Sequence, residues 1–248
     1  MIIEDLKLRR TIRKYKNDQI PEKMLNELLE VAFRASTTGN MQLYSVIVTR
    51  DEENKKKLAP AHFNQPTVTT APVVLTFCAD FNRFIKWCEL RKAQHGYDNF
   101  QSFYTATIDA LLVAQQFCTA AELCGLGICY LGTTTYNAPM IIKALNLPKF
   151  VIPVTTVTVG YPAEIPAQVD RLPAEALIHD EQYKDYTSED IDRIYAEKES
   201  LPESKKYITE NNKETLAQVF TDVRYPKANN EHFSDIFLKI IREQGFQF

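Results

Sequence analysis

The amino-acid sequence predicts an α/β or α+β sandwich, and three observations support this fold class. Four apolar or β-branched segments of strand length alternate with segments of helical periodicity. One of them, residues 71–79, is apolar throughout, which is typical of a strand buried on both faces. The 248-residue chain is 45% hydrophobic and 25% charged, the composition of an ordinary globular protein. We therefore expect one compact domain followed by an extended C-terminal excursion.

Helical periodicity begins before the first strand. An apolar stripe at three- and four-residue spacing is formed by Leu25, Leu28, Leu29, Ala32 and Phe33. The predicted strands cover residues 44–50, 71–79, 126–131 and 154–160.

The longest predicted helix covers residues 105–124. Its residues Ile108, Leu111 and Leu112 lie near one face, and the opposite face is also largely apolar. A helix that is apolar on all sides is normally covered on all sides, so we expect that here. Gly125 follows the helix at the position where a positive φ costs a glycine little.

Further elements are marked by local signals. Asp51 precedes a short charged helix, whose free N–H groups its carboxylate can cap. Residues 188–198 form a charged helix in the more polar, proline-rich second part of the chain. The predicted closing helix has an amphipathic stripe of Phe233, Ile236, Phe237, Ile240 and Ile241.

Composition and charge disfavour several classes of protein. The net charge of −3 argues against a general electrostatic nucleic-acid binder. The longest apolar stretch is too short to cross a bilayer, and the N-terminus lacks the apolar run of a secretory signal. Five cysteines without paired spacing do not indicate a disulfide framework. We expect a reduced, cytoplasmic protein with no membrane or nucleic-acid partner.

Familiar catalytic motifs are missing or incomplete. The pair Gly125 and Gly127 follows a helix instead of a strand and lacks the third glycine of a dinucleotide fingerprint. The cysteines and four histidines show no metal-ligand spacing, so we expect no metal site. The sequence contains neither a hydrolase elbow nor a Walker loop.

A dispersed set of polar residues remains. Arg9, Arg10, Thr11 and Arg13 combine three guanidinium groups with one hydroxyl, a set suited to a phosphate. The alternative is a solvated charged turn.

Three further segments contribute polar groups or exposed backbone. The loop of residues 37–42 contains amide side chains that match the hydrogen-bonding edge of a heterocycle. Residues 130–133 place a glycine at a strand end, where a planar ligand can approach the backbone. Arg171 follows a proline-rich loop.

In their order along the chain, these segments resemble the FMN-binding nitroreductase/flavin reductase family. The resemblance rests on an R-T-x-R element (residues 10–13), a G-N-x-Q element (residues 39–42), GLGICYLG after the long helix, LNLP, and VTTVTVGYPAE. The segments CADFNR and RLPAEALIHDEQY and the terminal QGF indicate the NADPH-dependent, oxygen-insensitive branch. The resemblance extends over nearly the whole chain.

The resemblance implies a three-layer α+β sandwich with a mainly antiparallel central sheet flanked by helices. It also implies an obligate homodimer, with a strand from the partner subunit completing the sheet and FMN bound at each of two interfaces. Residues 1–162 are the expected FMN-binding core. Residues 163–248 are the C-terminal extension of the same domain, which returns Arg171 to the flavin and wraps the partner subunit. The alternative for the extension is a peripheral lobe.

The resemblance also implies which residues bind FMN. The phosphate and ribityl chain would be held by Arg9, Arg10, Thr11, Arg13 and Arg171. The isoalloxazine ring would be lined by Thr37, Thr38, Gly39, Gln42, Gln65, Leu131, Gly132 and Thr133. Two positions depart from the branch: Thr133 replaces the second glycine of a Gly-Gly pair, and Val169 replaces a lysine that would add a phosphate cation.

The implied activity is FMN-dependent NAD(P)H oxidoreduction of nitroaromatics, quinones or free flavin, in a ping-pong cycle. Flavin N5 accepts and donates the hydride, so no catalytic side chain is required. Arg224 and Lys227 are candidates for binding NADPH or NADH, the alternative being solvated surface charges. Two other hypotheses remain: an FMN enzyme of another type, such as reductive dehalogenation or flavin breakdown, and a non-catalytic flavin-binding protein. The sequence does not identify the physiological acceptor.

Overall fold

The computed structural model of the chain describes residues 2–248 and is an α+β fold around a four-stranded sheet. All strand pairs are antiparallel, in the order β1-β2-β4-β3. The strands are β1 (Tyr44–Thr49), β2 (Val73–Asp80), β3 (Gly127–Leu131) and β4 (Val151–Gly160). The four predicted strands are confirmed, with β4 beginning three residues earlier than predicted.

Residues 2–248 also form several α-helices. They are α1 (Ile2–Lys7), α2 (Glu22–Ala32), α3 (Glu52–Leu58), α4 (Pro66–Thr70), α5 (Asn82–Leu90), α6 (Phe100–Leu123), α7 (Ala138–Leu145), α8 (Ser188–Ser200), α9 (Pro202–Glu210), α10 (Leu216–Gln218) and α11 (Lys227–Glu243). Short 3-10 turns cover Thr38–Asn40, Ala59–His62 and Ala174–Ala176, and Val219–Arg224 is a π-helical turn.

Strands β2 and β4 form the centre of the sheet and are buried along their whole length. Their continuous apolar and threonine-rich sequences fit this position, since a strand covered on both faces does not alternate. In the register, Leu75 pairs with Val157, and a bulge lies between Phe77 and Cys78. Strands β1 and β3 form the two edges.

Two hydrophobic layers cover the sheet. On one face, α2 and α6 pack with residues such as Leu25, Phe77 and Phe117, all fully buried. On the other face, Val68 of α4 and Ile141 of α7 pack against the sheet. Each such side chain contributes about 1.5–3 kcal/mol by leaving water. The three-layer sandwich expected from the sequence is confirmed.

Helix α6 begins at Phe100, five residues before the predicted start. The side chain of Asn99 accepts a hydrogen bond from the Ser102 amide at 3.0 Å and caps this end. At the other end Gly125 has φ of 80°, as predicted for the residue after the helix. Asp51 likewise caps α3, accepting from the Asn54 amide at 2.9 Å.

One face of α6 is not covered within the chain. The side chains of Ile108, Leu111 and Leu112 are 40–44% exposed, and Tyr104 is 51% exposed. Residues 2–248 therefore leave this face of α6 exposed, and coverage on all sides stays a prediction for the assembled protein. The buried face alone meets the sheet and α2.

The chain divides into two compact units. The first contains the residues up to Ala167 together with Phe233–Phe248, and the second is Gln168–His232. In the first unit, Phe246 is fully buried and packs edge-on against Phe150. The expected boundary at residue 162 stays a prediction.

Residues 2–248 contain no helix that is both long and apolar enough to cross a membrane. Over the same range, no group of histidine, cysteine or carboxylate side chains is arranged to hold a metal ion.

Candidate functional site

The arginine-rich segment of residues 9–13 lies against strand β3. The Ile12 amide donates to the Ile128 carbonyl at 2.9 Å, and the Ile12 side chain is buried. Gly127 makes this close approach possible, because a Cβ there would lie 2.6 Å from Ile12 side-chain atoms. Burial of Ile12 leaves its neighbours Thr11 half-buried and Arg13 exposed.

Two of the guanidinium groups lie beside the Cys129 thiol. Arg13 is within hydrogen-bonding range of this thiol, and Arg9 is close enough to act on it electrostatically. Burial raises the pKa of Cys129, and the two positive charges oppose that rise. Arg9 also forms an ion pair with Glu122, with Nε and Oε1 3.3 Å apart. Strand β3 therefore carries a positively charged surface.

Arg10 has unused hydrogen-bonding capacity. Its Nη1 donates to the Leu8 carbonyl at 3.0 Å, while its Nε is buried with no hydrogen-bond partner in the part of the chain that the structure describes. Arg9 and Arg10 line a cavity of about 410 Å³ together with Leu126 and Gly127. A buried guanidinium N–H without a partner is costly and suits an anionic ligand.

Tyr15 fixes the segment after the arginines. Its hydroxyl donates toward the Ile12 carbonyl at 2.8 Å and lies 2.7 Å from the Thr158 hydroxyl, which in turn lies 3.0 Å from that of Thr67. Burial raises the pKa of Tyr15, so the phenol remains protonated. The backbone that presents Arg13 is thus tied to β4 and α4.

The loop of residues 37–42 is held by a buried carboxylate. Asp109 of α6 is 1% exposed and accepts hydrogen bonds from the Thr38 amide at 2.9 Å and the Thr38 hydroxyl at 3.2 Å. Its second oxygen accepts from the Leu43 amide at 3.3 Å. Both ends of the loop are therefore anchored on one side chain.

The tip of the same loop has an unusual backbone. Gly39, Asn40 and Gln42 all have φ of 55–56°, in the left-handed region. Asn and Gly adopt this region at lower cost than other residues. Arg83 donates to the Gln42 carbonyl and stabilises the conformation. The loop and Phe33 line a cavity of about 450 Å³.

A third group forms at the end of β3. The Thr133 hydroxyl lies 2.8 Å from Nδ1 of the buried His62. Gln65 follows His62 by three residues, precedes α4, and donates its amide to the His62 carbonyl at 3.1 Å. A Cβ added to Gly132 would meet no atom within 4 Å. The backbone after Leu131 is therefore open to an approaching ligand.

The remaining predicted residues lie in the second unit. Arg171 is exposed and donates to the Asp170 carbonyl at 2.8 Å. The Arg224 guanidinium lies over the Tyr207 ring, 4.3 Å from its centroid, and over Phe220 at 5.3 Å. Lys227 is paired with Glu231 at 3.6 Å. Arg224 is therefore an exposed cation that stacks on two rings, and its role in binding a nicotinamide nucleotide stays a prediction.

The structure thus brings the predicted core residues into three groups, and β3 connects two of them. The arginine group lies at the start and middle of β3, and the group of Leu131, Gly132 and Thr133 follows its end. The third group, at residues 37–42, is tied to α6, which also contacts β3. Convergence of all three groups, and of Arg171, on one ligand stays a prediction.

Comparison with known proteins identifies the family. The sequence profile of the Nitroreductase family matches residues 6–161, more than half of the chain. The protein belongs to the nitroreductase family. Among relatives of this nitroreductase, FMN reductase [NAD(P)H] from Bacillus subtilis (strain 168) is 32% identical, with 99% of this chain and 98% of the relative covered.

Other relatives agree with this assignment. Oxygen-insensitive NADPH nitroreductase from Salmonella typhimurium (strain LT2) is 32% identical over 71% of each chain. A crystal structure from Bacteroides fragilis NCTC 9343 is 65% identical and has a TM-score of 0.98, covering 99% of this chain and 100% of the other. The resemblance inferred from the sequence motifs is confirmed.

The groups of this nitroreductase fit the parts of FMN. Its phosphate requires several charge-assisted donors, and the arginine group supplies three guanidiniums, one with an unpartnered Nε. The planar ring requires open backbone and amide groups, which Gly132, Gln65 and Gln42 supply.

Sequence reasoning missed three supporting residues. Asp109 is the first charged side chain in the sequence of α6, a signal that could have identified it. Tyr15 and His62 carry no such signal, because their partners are distant in the chain. These three residues hold the predicted binding groups in place.

Proposed function

We propose that the protein is an FMN-dependent NAD(P)H oxidoreductase that reduces nitroaromatics, quinones or free flavin. Support comes from the FMN reductase [NAD(P)H] of Bacillus subtilis, which matches over nearly the whole length of both chains. A Cr(VI) reductase from Pseudomonas sp. (strain G-1) is also 32% identical. The two relatives are named for reducing different acceptors, a flavin and Cr(VI), which agrees with a site that accepts chemically different oxidants.

One observation carries the proposal: the arginine segment is fixed on β3 with an unpartnered, buried Nε on Arg10. The nearby Arg13 is exposed, whereas Ile12 is buried and hydrogen-bonded to β3, so the Arg13 guanidinium is available to a ligand beside this strand. Arg9, Arg10, Thr11 and Arg13 hold the FMN phosphate. Arg171 stays a predicted member of this group, without the lysine that Val169 replaces.

The loop of residues 37–42 and the turn after β3 would hold the ring of FMN. Thr37, Thr38, Gly39 and Gln42 line its pyrimidine side, and Gln65 donates from the start of α4. Leu131, Gly132 and Thr133 provide the backbone against which the ring packs. When bound, FMN accepts a hydride from NAD(P)H and passes it to the acceptor. The protein binds and orients the ring and leaves one face open.

Catalysis therefore needs no protein acid–base dyad. The hydrogen-bond donors of the site stabilise negative charge on the ring, and this is the contribution of the chain. Because donor and acceptor use the same open face in turn, the kinetics follow a ping-pong pattern. A shallow, shared face also explains a broad acceptor range.

The nicotinamide nucleotide is bound by Arg224 and Lys227. The stacked position of Arg224 on Tyr207 and Phe220 leaves the edge of its guanidinium to donate hydrogen bonds. A phosphate of the dinucleotide is the anion that this group would bind. Steady-state kinetics with NADPH and NADH distinguishes the preferred donor.

The active form is a homodimer, with a partner strand completing the sheet. The exposed apolar face of α6, formed by Tyr104, Ile108, Leu111 and Leu112, supports this assembly. Among residues 2–248, each of the two edge strands, β1 and β3, pairs with one neighbouring strand. The extension of residues 163–248 wraps the partner. The protein works in the cytoplasm, which agrees with five free cysteines.

The function is tested on the purified protein under anaerobic conditions. We expect a yellow protein whose flavin absorbance bleaches when NADPH or NADH is added and returns on addition of a quinone or nitroaromatic. A colourless protein that cannot be loaded with FMN would refute the proposal. Bound FMN that neither nicotinamide reduces would favour a non-catalytic flavin-binding protein. Reduction without turnover of these acceptors would indicate an FMN enzyme of another reaction type.

A further inference from the structure

His62 connects two of the groups that the proposed function places at the flavin ring. Its carbonyl accepts a hydrogen bond from the Gln65 amide at 3.1 Å, and its Nδ1 lies 2.8 Å from the Thr133 hydroxyl. The side chain is fully buried. His62 is therefore bonded to Gln65 through its backbone carbonyl and to Thr133 through its ring.

The turn that carries Gln65 needs such support. Phe63 and Asn64 have φ of 52° and 54°, so two consecutive non-glycine residues lie in the left-handed region. Such conformations persist only where surrounding contacts enforce them, and they are frequent at binding sites. The Asn64 amide donates to the Ala59 carbonyl at 2.8 Å, which closes the turn around His62.

The segment after β3, residues 131–137, is also held by hydrogen bonds. The Asn137 side chain donates to the Ala61 carbonyl at 2.9 Å, and the Thr134 hydroxyl donates to the Leu131 carbonyl at 2.9 Å. Residues 59–65 and 131–137 are therefore joined by two hydrogen bonds, one between Asn137 and Ala61 and one between His62 and Thr133.

The unpartnered nitrogen of His62 determines the direction of this hydrogen bond. Nε2 is buried and has no hydrogen-bond partner within residues 2–248. Burial lowers the pKa of His62 to about 4, so the ring is neutral and carries one proton. A buried N–H without an acceptor is rarer than a buried acceptor without a donor. The proton therefore resides on Nδ1, which donates to Thr133.

We propose that His62 is a positioning residue that accepts no proton in the reaction but holds the Thr133 hydroxyl as a hydrogen-bond donor to the flavin. Because Nδ1–H uses the acceptor side of the hydroxyl, the Thr133 proton is free to point toward the ligand beside Gly132. A donor at this position stabilises the ring most when it carries negative charge, in its reduced form. This inference rests on the proposed FMN site.

The test compares FMN affinity and the midpoint potential of bound FMN in five variants and the wild type. Thr133→Val removes the hydroxyl at nearly constant shape, and His62→Leu removes the ring nitrogen. We expect each to weaken binding of reduced relative to oxidised FMN by about tenfold, the scale of a hydrogen bond to a charged group. For a two-electron couple this lowers the midpoint potential by about 30 mV.

Conservative and combined variants separate positioning from general disruption. Thr133→Ser keeps the hydroxyl, and His62→Asn places an amide N–H near the position of Nδ1, so both should retain the wild-type potential. The double variant His62→Leu/Thr133→Val should change the potential no more than either single variant, since both remove one interaction.

Several results would overturn the proposal. An unchanged potential in Thr133→Val, or additive shifts in the double variant, would overturn the proposal. Equal weakening of both flavin forms would show a purely structural role and would also overturn it. If the wild type binds no FMN, the proposed function itself fails, whereas normal binding with unaffected variants rejects only the role of His62.

Discussion

The carboxylate of Asp109 and the backbone of Thr38 are joined by a hydrogen bond of 2.9 Å across 71 residues of sequence. The same oxygen accepts from the Thr38 hydroxyl, and the other oxygen accepts from Leu43. A buried side chain in the middle of α6 thus determines where the loop of residues 37–42 lies. The candidate ring site depends on this connection.

Replacing Asp109 by Asn should destabilise the protein and weaken FMN binding. An amide has one accepting oxygen, so either Thr38 or Leu43 would face an NH₂ group. The expected loss in the free energy of unfolding is about 1–3 kcal/mol. Urea denaturation and flavin titration measure both effects. Asp18→Asn, the same change at an exposed residue outside α6, is the matched control and should change neither. Wild-type stability in Asp109→Asn would contradict the assigned contacts.

Replacing Arg13 by Ala should weaken FMN binding by about 1.5–3 kcal/mol, the contribution of a charge-assisted hydrogen bond. The reason is the loss of an outward guanidinium beside Cys129. Fluorescence titration with FMN measures the change. Lys14→Ala provides the control, because Lys14 is exposed and pairs with Glu164 at 3.0 Å. Equal FMN affinity in the two variants would show that the phosphate lies elsewhere.

Replacing Gly127 by Ala should destabilise the first unit by about 1–3 kcal/mol, the typical cost of overpacking. The added methyl would lie 2.6 Å from Ile12 and push the arginine segment away from β3. FMN affinity should therefore fall together with thermal stability. Gly96→Ala meets no atom within 4 Å and serves as the control. A fully stable Gly127→Ala protein would argue against the close packing of Ile12.

Stability should decline with acidification because of His62. Burial lowers its pKa from 6.5 to about 4, so between these values the unfolded chain binds the proton more strongly than the folded one. The stabilisation is complete above pH 6.5 and is lost as the pH falls toward 4. Between about pH 7.5 and about pH 5 the loss is roughly 2 kcal/mol. His62→Asn should show a smaller decline in the same urea experiments, and an equal decline would assign the effect to other groups.

Replacing Leu111 by Glu should dissociate the proposed homodimer. A charge on the exposed apolar face of α6 would have to be buried in the interface without a partner. Sedimentation velocity measures the change from dimer to monomer. Leu90→Glu places the same charge on a 76% exposed residue of α5 and should leave the assembly intact. A monomeric wild type would remove the basis of this prediction.

Local signals explain which parts of the fold were predictable. The four strands, the Asp51 cap and Gly125 after α6 follow from short stretches of sequence. The true start of α6 was missed because its cap, Asn99, precedes an aromatic stretch without a clear helical stripe.

The candidate site was predictable only in part. The arginines, Gln42 and Gly132 belong to motifs whose order identified the family. Their supports depend on contacts between distant residues, such as Tyr15 with Thr158. A single sequence contains no information on these pairings until the strand register is known. The order of the motifs therefore identified the binding groups, whereas the supporting residues became visible only in the three-dimensional structure.

In helix α6, Asp109 follows Ile108 directly. The residue that holds the loop of residues 37–42 and the exposed apolar face therefore occupy neighbouring positions of the same helix. A rotation or a register shift of α6 would disturb the Asp109 hydrogen bonds and the exposed apolar face together. Substitutions in α6 should consequently be tolerated less often than substitutions in α5. In variant libraries selected for retained flavin colour, we expect many substitutions in α5 and very few around position 109.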